Sequence, residues 1–138
     1  MLSLSAKTIY GLQATLFLAE HFDQGRLTIK EIATARDIPR QYLEQIFNQL
    51  GRAEIIRSVR GKYGGYQLAR SPGNIPISEI VTALEGSIEL APETNNPADV
   101  IHDLLKEAEQ ALAGVFSLSL AELVELSRKK RQVLNFVI

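Results

Sequence analysis

The chain has 138 residues, 46% hydrophobic and 22% charged, the makeup of one folded domain with an added element rather than of a disordered or membrane-embedded protein. It contains no cysteine, which excludes disulfides, thiolate nucleophiles, thiolate zinc sites and cysteine-ligated iron–sulfur clusters. The net charge of −1 conceals an asymmetry: residues 1–75 hold ten Lys/Arg against six Asp/Glu, and residues 76–138 hold five against ten. A basic front half joined to an acidic rear half points to a module that faces a polyanion and a second part that faces elsewhere.

Along the chain, Ile9, Leu12, Leu16 and Ala19 recur at helical spacing, so a first helix is expected from about Ser5, its N-cap, to His21. The apolar run "TIYGLQATLFLAE" within it is interrupted by Gln13, too short to span a bilayer and followed by no cleavage signal, which places the protein in the cytoplasm. Gly25 ends this element. "TIKE", Thr28 to Glu31, has the form of a capping box and opens a short second helix through Ala35. After the turn "RDIP", Pro39 starts a third helix whose apolar stripe is Leu43, Ile46, Phe47 and Leu50. The opposite face reads Arg40, Gln41, Glu44, Gln45 and Asn48, side chains able to bond phosphates and base edges, and two short helices joined by a tight turn form a helix-turn-helix pattern.

In "SVRGKYGGYQLAR", Ser58 to Arg70, Gly61, Gly64 and Gly65 are expected to supply positive-φ positions at a hairpin tip between "IIRSVR" and "YQLAR". A hairpin that follows a helix-turn-helix is a wing, and this one would carry Arg60, Lys62 and Tyr63 at its tip, where a guanidinium can enter a narrow minor groove. An ordinary surface hairpin is the other reading. A further short helix spans Ile77 to Leu84 and ends at Gly86, and "SIELAPETNNPAD" follows as a polar linker.

From about Ala98, Ile101, Leu104, Leu105, Ala108, Leu112 and Val115 line one side of a long helix. That stripe would be covered by a second copy of the chain or, alternatively, by the first helix of its own chain. A last helix from about Ser119 to Lys130 closes with the basic run "RKKR" and an apolar tail, "QVLNFVI". The two histidines, His21 and His102, have no ligand-like spacing, and no nucleophile motif, metal motif or cofactor loop is present, so neither an enzyme nor a cofactor is expected. A non-catalytic protein-interaction module remains an alternative to DNA binding, although it leaves the cations between Arg40 and Arg70 without a use.

"SAKTIYGLQATLFLA", "YLEQIFNQL", "IIRSVRGKYGGYQLAR" and "ISEIVTALEG" together resemble the Rrf2 family of bacterial winged-helix transcription regulators over most of the chain. The resemblance implies a mainly α fold with a small β-hairpin wing: a winged helix-turn-helix over residues 1–86, a linker over 87–97 and a dimerisation helix, final helix and tail over 98–138. It implies a homodimeric repressor on a palindromic operator, with the third helix in the major groove and the wing in the minor groove. By motif position Gln41, Glu44 and Arg60 stand where family members contact bases and groove, and the full expected set is Thr28, Arg40, Gln41, Tyr42, Glu44, Gln45, Arg60, Lys62 and Tyr63. Gln41 stands where serine is common. Many members hold an iron–sulfur cluster on three cysteines before the long helix; none occurs here.

The chain is also similar to a cysteine-free member that represses cysteine metabolism and is partnered by O-acetylserine sulfhydrylase (cysteine synthase). That enzyme accepts a C-terminal isoleucine from serine acetyltransferase. By this resemblance Val137 and Ile138 would offer it a free carboxylate beside a branched apolar side chain, with the "SIELAPETNNP" linker as a second place for a signal to enter.

Overall fold

The computed structural model describes residues 2–91, 93, 96 and 98–137. Among these residues are six α-helices, two short 3-10 turns and one hairpin: α1 (Ala6–Glu20), α2 (Ile29–Arg36), α3 (Arg40–Arg52), β1 (Ile56–Ser58), β2 (Tyr66–Leu68), α4 (Ile77–Glu85), α5 (Val100–Phe116) and α6 (Leu120–Val137). The mainly α fold with a small hairpin is the one the sequence led us to expect.

Ser5 caps α1 by accepting from the Thr8 amide. α1 is apolar on most sides, so helical spacing alone does not mark which edge is buried. Thr8, Gly11, Ala14, Thr15, Leu18 and Ala19 form the buried face, Leu12 and Leu16 are half-buried and Ile9 is exposed. Small residues are needed on the buried edge because α4 approaches there. A Cβ placed on Gly11 would lie 2.2 Å from Leu84 Cδ1. Thr15 satisfies its buried hydroxyl on the Gly11 carbonyl at 2.9 Å.

One core unites α1, α3, α4, the hairpin and the first half of α6, centred on Leu43, Ile46, Leu50, Ile55, Ile80 and Leu120. The final helix, grouped from sequence with the dimerisation segment, enters this core through Leu120 and Val124. Its start is stitched to the chain before α4 by backbone bonds from Leu120 to Ile75 (2.9 Å) and from Ile77 to Leu118 (2.8 Å). α6 also runs past the basic run to Val137, so most of the segment expected to be a tail is helix. A contact remote in sequence fastens the basic run within this helix. Arg131, within "RKKR", pairs with Glu20 at the end of α1, and Arg36 of α2 pairs with the same largely buried carboxylate. Ile138 lies outside the described residues, and so does the side chain of Val137.

Candidate nucleic-acid interface

The helix-turn-helix is fixed by local chemistry. Thr28 accepts from the Glu31 amide and the Glu31 carboxylate accepts from the Thr28 amide, both at 3.1 Å, so the expected capping box is closed at the start of α2. Asp37 ends α2 in the left-handed region (φ 53°), a conformation aspartate tolerates, and buried Ile38 and then Pro39 lead directly into α3. On α3 the residues Leu43, Ile46, Phe47 and Leu50 are buried, which forces Arg40, Gln41, Glu44, Gln45 and Asn48 outward, and all five are exposed. Tyr42 is different: its ring packs at 5.4 Å on Tyr10 of α1, so it braces α3 while its edge stays at the surface.

The wing pairs Ile56 with Leu68, Arg57 with Gln67 and Ser58 with Tyr66. With its amide oxygen turned toward Arg57, Gln67 accepts from Nη2 at 2.6 Å and Nε at 2.8 Å, a bond that ties the two strands. Of the three tip glycines expected at positive φ, Gly64 (62°) and Gly65 (145°) are there, whereas Gly61 adopts an ordinary conformation and accepts the Gly64 amide at 3.2 Å to close the turn. Arg60, Lys62 and Tyr63 are exposed at this tip, with the Lys62 ammonium 5.5 Å from the Tyr63 ring centroid. The wing is not free to swing independently of α3, because the Tyr66 ring lies 4.6 Å from that of Phe47.

Among the described residues, the ion pairs made by cations of the basic half are Arg36 with Glu20 and Arg70 with Glu79. Glu79 binds the Arg70 guanidinium and raises its pKa, turning this cation toward α4 and away from the wing tip. Arg40, Arg60 and Lys62 have no carboxylate within ion-pair distance among the described residues. Once Arg36 and Arg70 are paired, the remaining cations of the basic half, with Arg40, Arg60 and Lys62 on the helix-turn-helix and wing among them, stay available to an external anion.

One residue was missed by sequence reasoning. Leu27 exchanges backbone bonds with Tyr66 at 2.9 and 2.8 Å, which makes the α1–α2 connection a one-residue third strand beside β2. That bridge lays the exposed Arg26 across the wing. A Cβ on Gly65 would lie 3.0–3.1 Å from the Arg26 stem, and one on Gly61 3.5–3.6 Å from its guanidinium. The available signal was a lone arginine between Gly25 and the Thr28 cap.

α5 carries no buried residue. Of its expected stripe, Ile101, Leu104, Leu112 and Val115 are exposed and Leu105 and Ala108 half-buried, with Val100 extending the apolar strip by one position. It rests on α4 rather than on α1, whose flank is covered by α6. Glu109 anchors the linker to it by accepting from the amides of Leu90 (2.6 Å) and Ala91 (2.9 Å), and the Ala91 bond in particular holds this carboxyl below its ordinary range.

No cluster of three or more His, Cys, Asp or Glu side chains able to hold a metal occurs among the described residues, and no helix of theirs is long and apolar enough to cross a membrane. His21 bonds the Phe17 carbonyl through Nδ1 at 2.9 Å and packs on that residue's ring, an ordinary helix-end arrangement.

The Rrf2 family model, described as an iron-dependent transcriptional regulator, matches residues 4–126. Iron bound through cysteine thiolates does not fit this chain, which has no cysteine. An HTH-type transcriptional regulator of Synechocystis is 31% identical over 99% of this chain and 100% of its own length. The HTH-type regulator CymR of Bacillus subtilis is 34% identical over 74% of this chain and 69% of its own. Its solved structure, described as that of the global cysteine regulator, superposes with a TM-score of 0.83 over 91% of this chain and 98% of that one at 31% identity. The T. potens IscR structure gives 0.78 over 91% and 88% at 33% identity.

Proposed function

Because the chain belongs to the Rrf2 family of DNA-binding transcriptional regulators, proteins that are not enzymes, we propose that it acts as a homodimeric repressor on a palindromic operator. In this reading α3 enters the major groove with Gln41, Glu44 and Gln45 toward base edges, and the wing delivers Arg60 and Lys62 to the adjacent minor groove. Arg40 and the Thr28 hydroxyl meet phosphates, and Tyr42 and Tyr63 flank the two reading elements. The observation that carries the reading is the sorting of charge on this face. Polar side chains of α3 and uncompensated cations of α3 and the wing stand together on elements locked to each other through Phe47 and Tyr66.

Dimerisation through the α5 stripe would bring two such faces to one side of the assembly and set two half-sites about one helical turn or more apart. Hydroxyl-radical footprinting on the DNA upstream of its own gene tests this. Two protected half-sites of related sequence are expected; a single unpaired footprint would contradict the dimeric operator.

The similarity to CymR, described as a global cysteine regulator, supports sulfur metabolism as the regulated process, and O-acetylserine sulfhydrylase as a partner rests on the family resemblance of the sequence alone. Val137 and Ile138 would be the captured residues. Since α6 is helical to Val137, capture requires its last turn to open, and the nearly fully exposed Phe136 offers little packing to oppose that. Deleting Val137 and Ile138 should abolish sulfhydrylase association in a pull-down while leaving the dimer intact. Full retention by the truncated chain would overturn this partner.

A further inference from the structure

We propose that Arg26 is a further DNA-contacting residue, a phosphate clamp set between the wing and the helix-turn-helix, and this rests on the DNA-binding reading above. Three observations place it. The Leu27–Tyr66 bridge fixes its backbone beside β2, and its stem lies flat over Gly65, where a Cβ would stand only 3.0–3.1 Å away. Its guanidinium is exposed over Gly61, between the positions of Arg60 and Lys62, and has no carboxylate within ion-pair distance among the described residues. A surface groove runs beside it, lined by Gln24, Gly25, Arg26, Thr28, Glu31 and Tyr63, so the wing tip and the start of α2 form its two walls.

With α3 in the major groove and the wing in the neighbouring minor groove, the DNA backbone between the two grooves must run past the helix-turn-helix and the wing, and this groove opens on that path between the wing tip and the start of α2. The Glu31 carboxylate in its wall keeps its negative charge but is held in place by the Thr28 amide, so the Arg26 guanidinium is the group that must attract the phosphate. Thr28 Oγ1 accepts from the Glu31 amide and so keeps its hydroxyl proton to donate. A phosphate there meets one planar cation able to bond two of its oxygens, plus one hydroxyl donor. The contact carries no sequence information; its effect is on affinity and on register between wing and recognition helix.

The test compares wild type, Arg26→Ala and Arg26→Lys on two duplexes, the region upstream of its own gene and a shuffled duplex of the same composition, between about 50 and 200 mM salt. Arg26→Ala should weaken binding to both duplexes by a similar factor, about tenfold, and flatten the slope of log affinity against log salt by about 0.9. Arg26→Lys should keep the wild-type slope. A merely bracing role would lower affinity in both variants with the slope unchanged, and that result, or no loss in Arg26→Ala, overturns the clamp. Wild type that binds neither duplex overturns the DNA reading itself, a different outcome from failure of the clamp alone.

Discussion

Replacing Leu104 with glutamate tests the α5 seam. Leu104 leaves 60% of its surface exposed in the single chain, in the middle of a helix with no buried residue. Fully burying a leucine contributes about 1.5–3 kcal/mol, so the share still available to a partner is about 1–2 kcal/mol per copy. A two-fold interface uses each residue twice, which doubles this to about 2–4 kcal/mol per dimer. Glutamate forgoes that contribution and must also be desolvated if the seam closes. A loss of about 3 kcal/mol weakens dimerisation by about 150-fold. Sedimentation equilibrium over a concentration series reads the dissociation constant directly, with Gln110→Glu, an exposed α5 position outside the stripe, as the control that should stay dimeric. Operator affinity should fall together with dimerisation, because two linked half-site contacts become two separate ones. A Leu104→Glu protein that dimerises like wild type, or a monomeric one that binds the operator with undiminished affinity, would refute the assignment of this helix.

Glu44 is an exposed acid on the helix assigned to the major groove, so it should act by selection, accepting from a cytosine amino group while repelling phosphate at other sequences. Glu44→Ala should bind shuffled DNA more tightly and narrow the preference for the operator; an equal loss on both duplexes would contradict this. Glu85 fastens α4 to the start of α1 by accepting from the Thr8 hydroxyl (2.6 Å), the Ser5 hydroxyl (2.7 Å) and the Ser5 amide (3.1 Å), and the Thr8 bond above all holds its carboxyl below the ordinary 4.5. A lowered folded-state value means that the stabilisation is complete above the ordinary value and is lost as pH falls through the lowered one. Glu85→Gln should therefore melt below wild type near neutral pH, and the gap should close as pH falls through the lowered carboxyl value; a gap of constant size would show that ionisation plays no part.

The legible parts of the fold were those written locally. The Ser5 cap, the Thr28–Glu31 capping box, the α3 stripe and the glycine-rich hairpin each depend on residues a few positions apart, and each is where the sequence puts it. Contacts between distant segments were not legible. The end of α6 was misread because a basic run is a normal helix-terminating signal, while the carboxylate that Arg131 meets sits 111 positions away on α1. The buried edge of α1 is not legible because an all-round apolar helix has no marked face until α4 presses Leu84 against Gly11. Tyr42 reads as one more polar-face residue until Tyr10 is brought beside it. Arg26 became visible only when a single-residue bridge, too short for any alternation pattern, laid it on the wing.

The central claim is that the exposed face of α3 and the cationic wing bind DNA as one surface, and fluorescence anisotropy of wild type and Arg60→Ala on the upstream duplex across a salt series tests it most directly. Wild type should prefer this duplex to a shuffled one and lose affinity steeply as salt rises, and Arg60→Ala should bind it about 1–3 kcal/mol more weakly, roughly five- to 150-fold. Wild-type binding that ignores both sequence and salt, or an Arg60→Ala protein that binds as tightly as wild type, would contradict it.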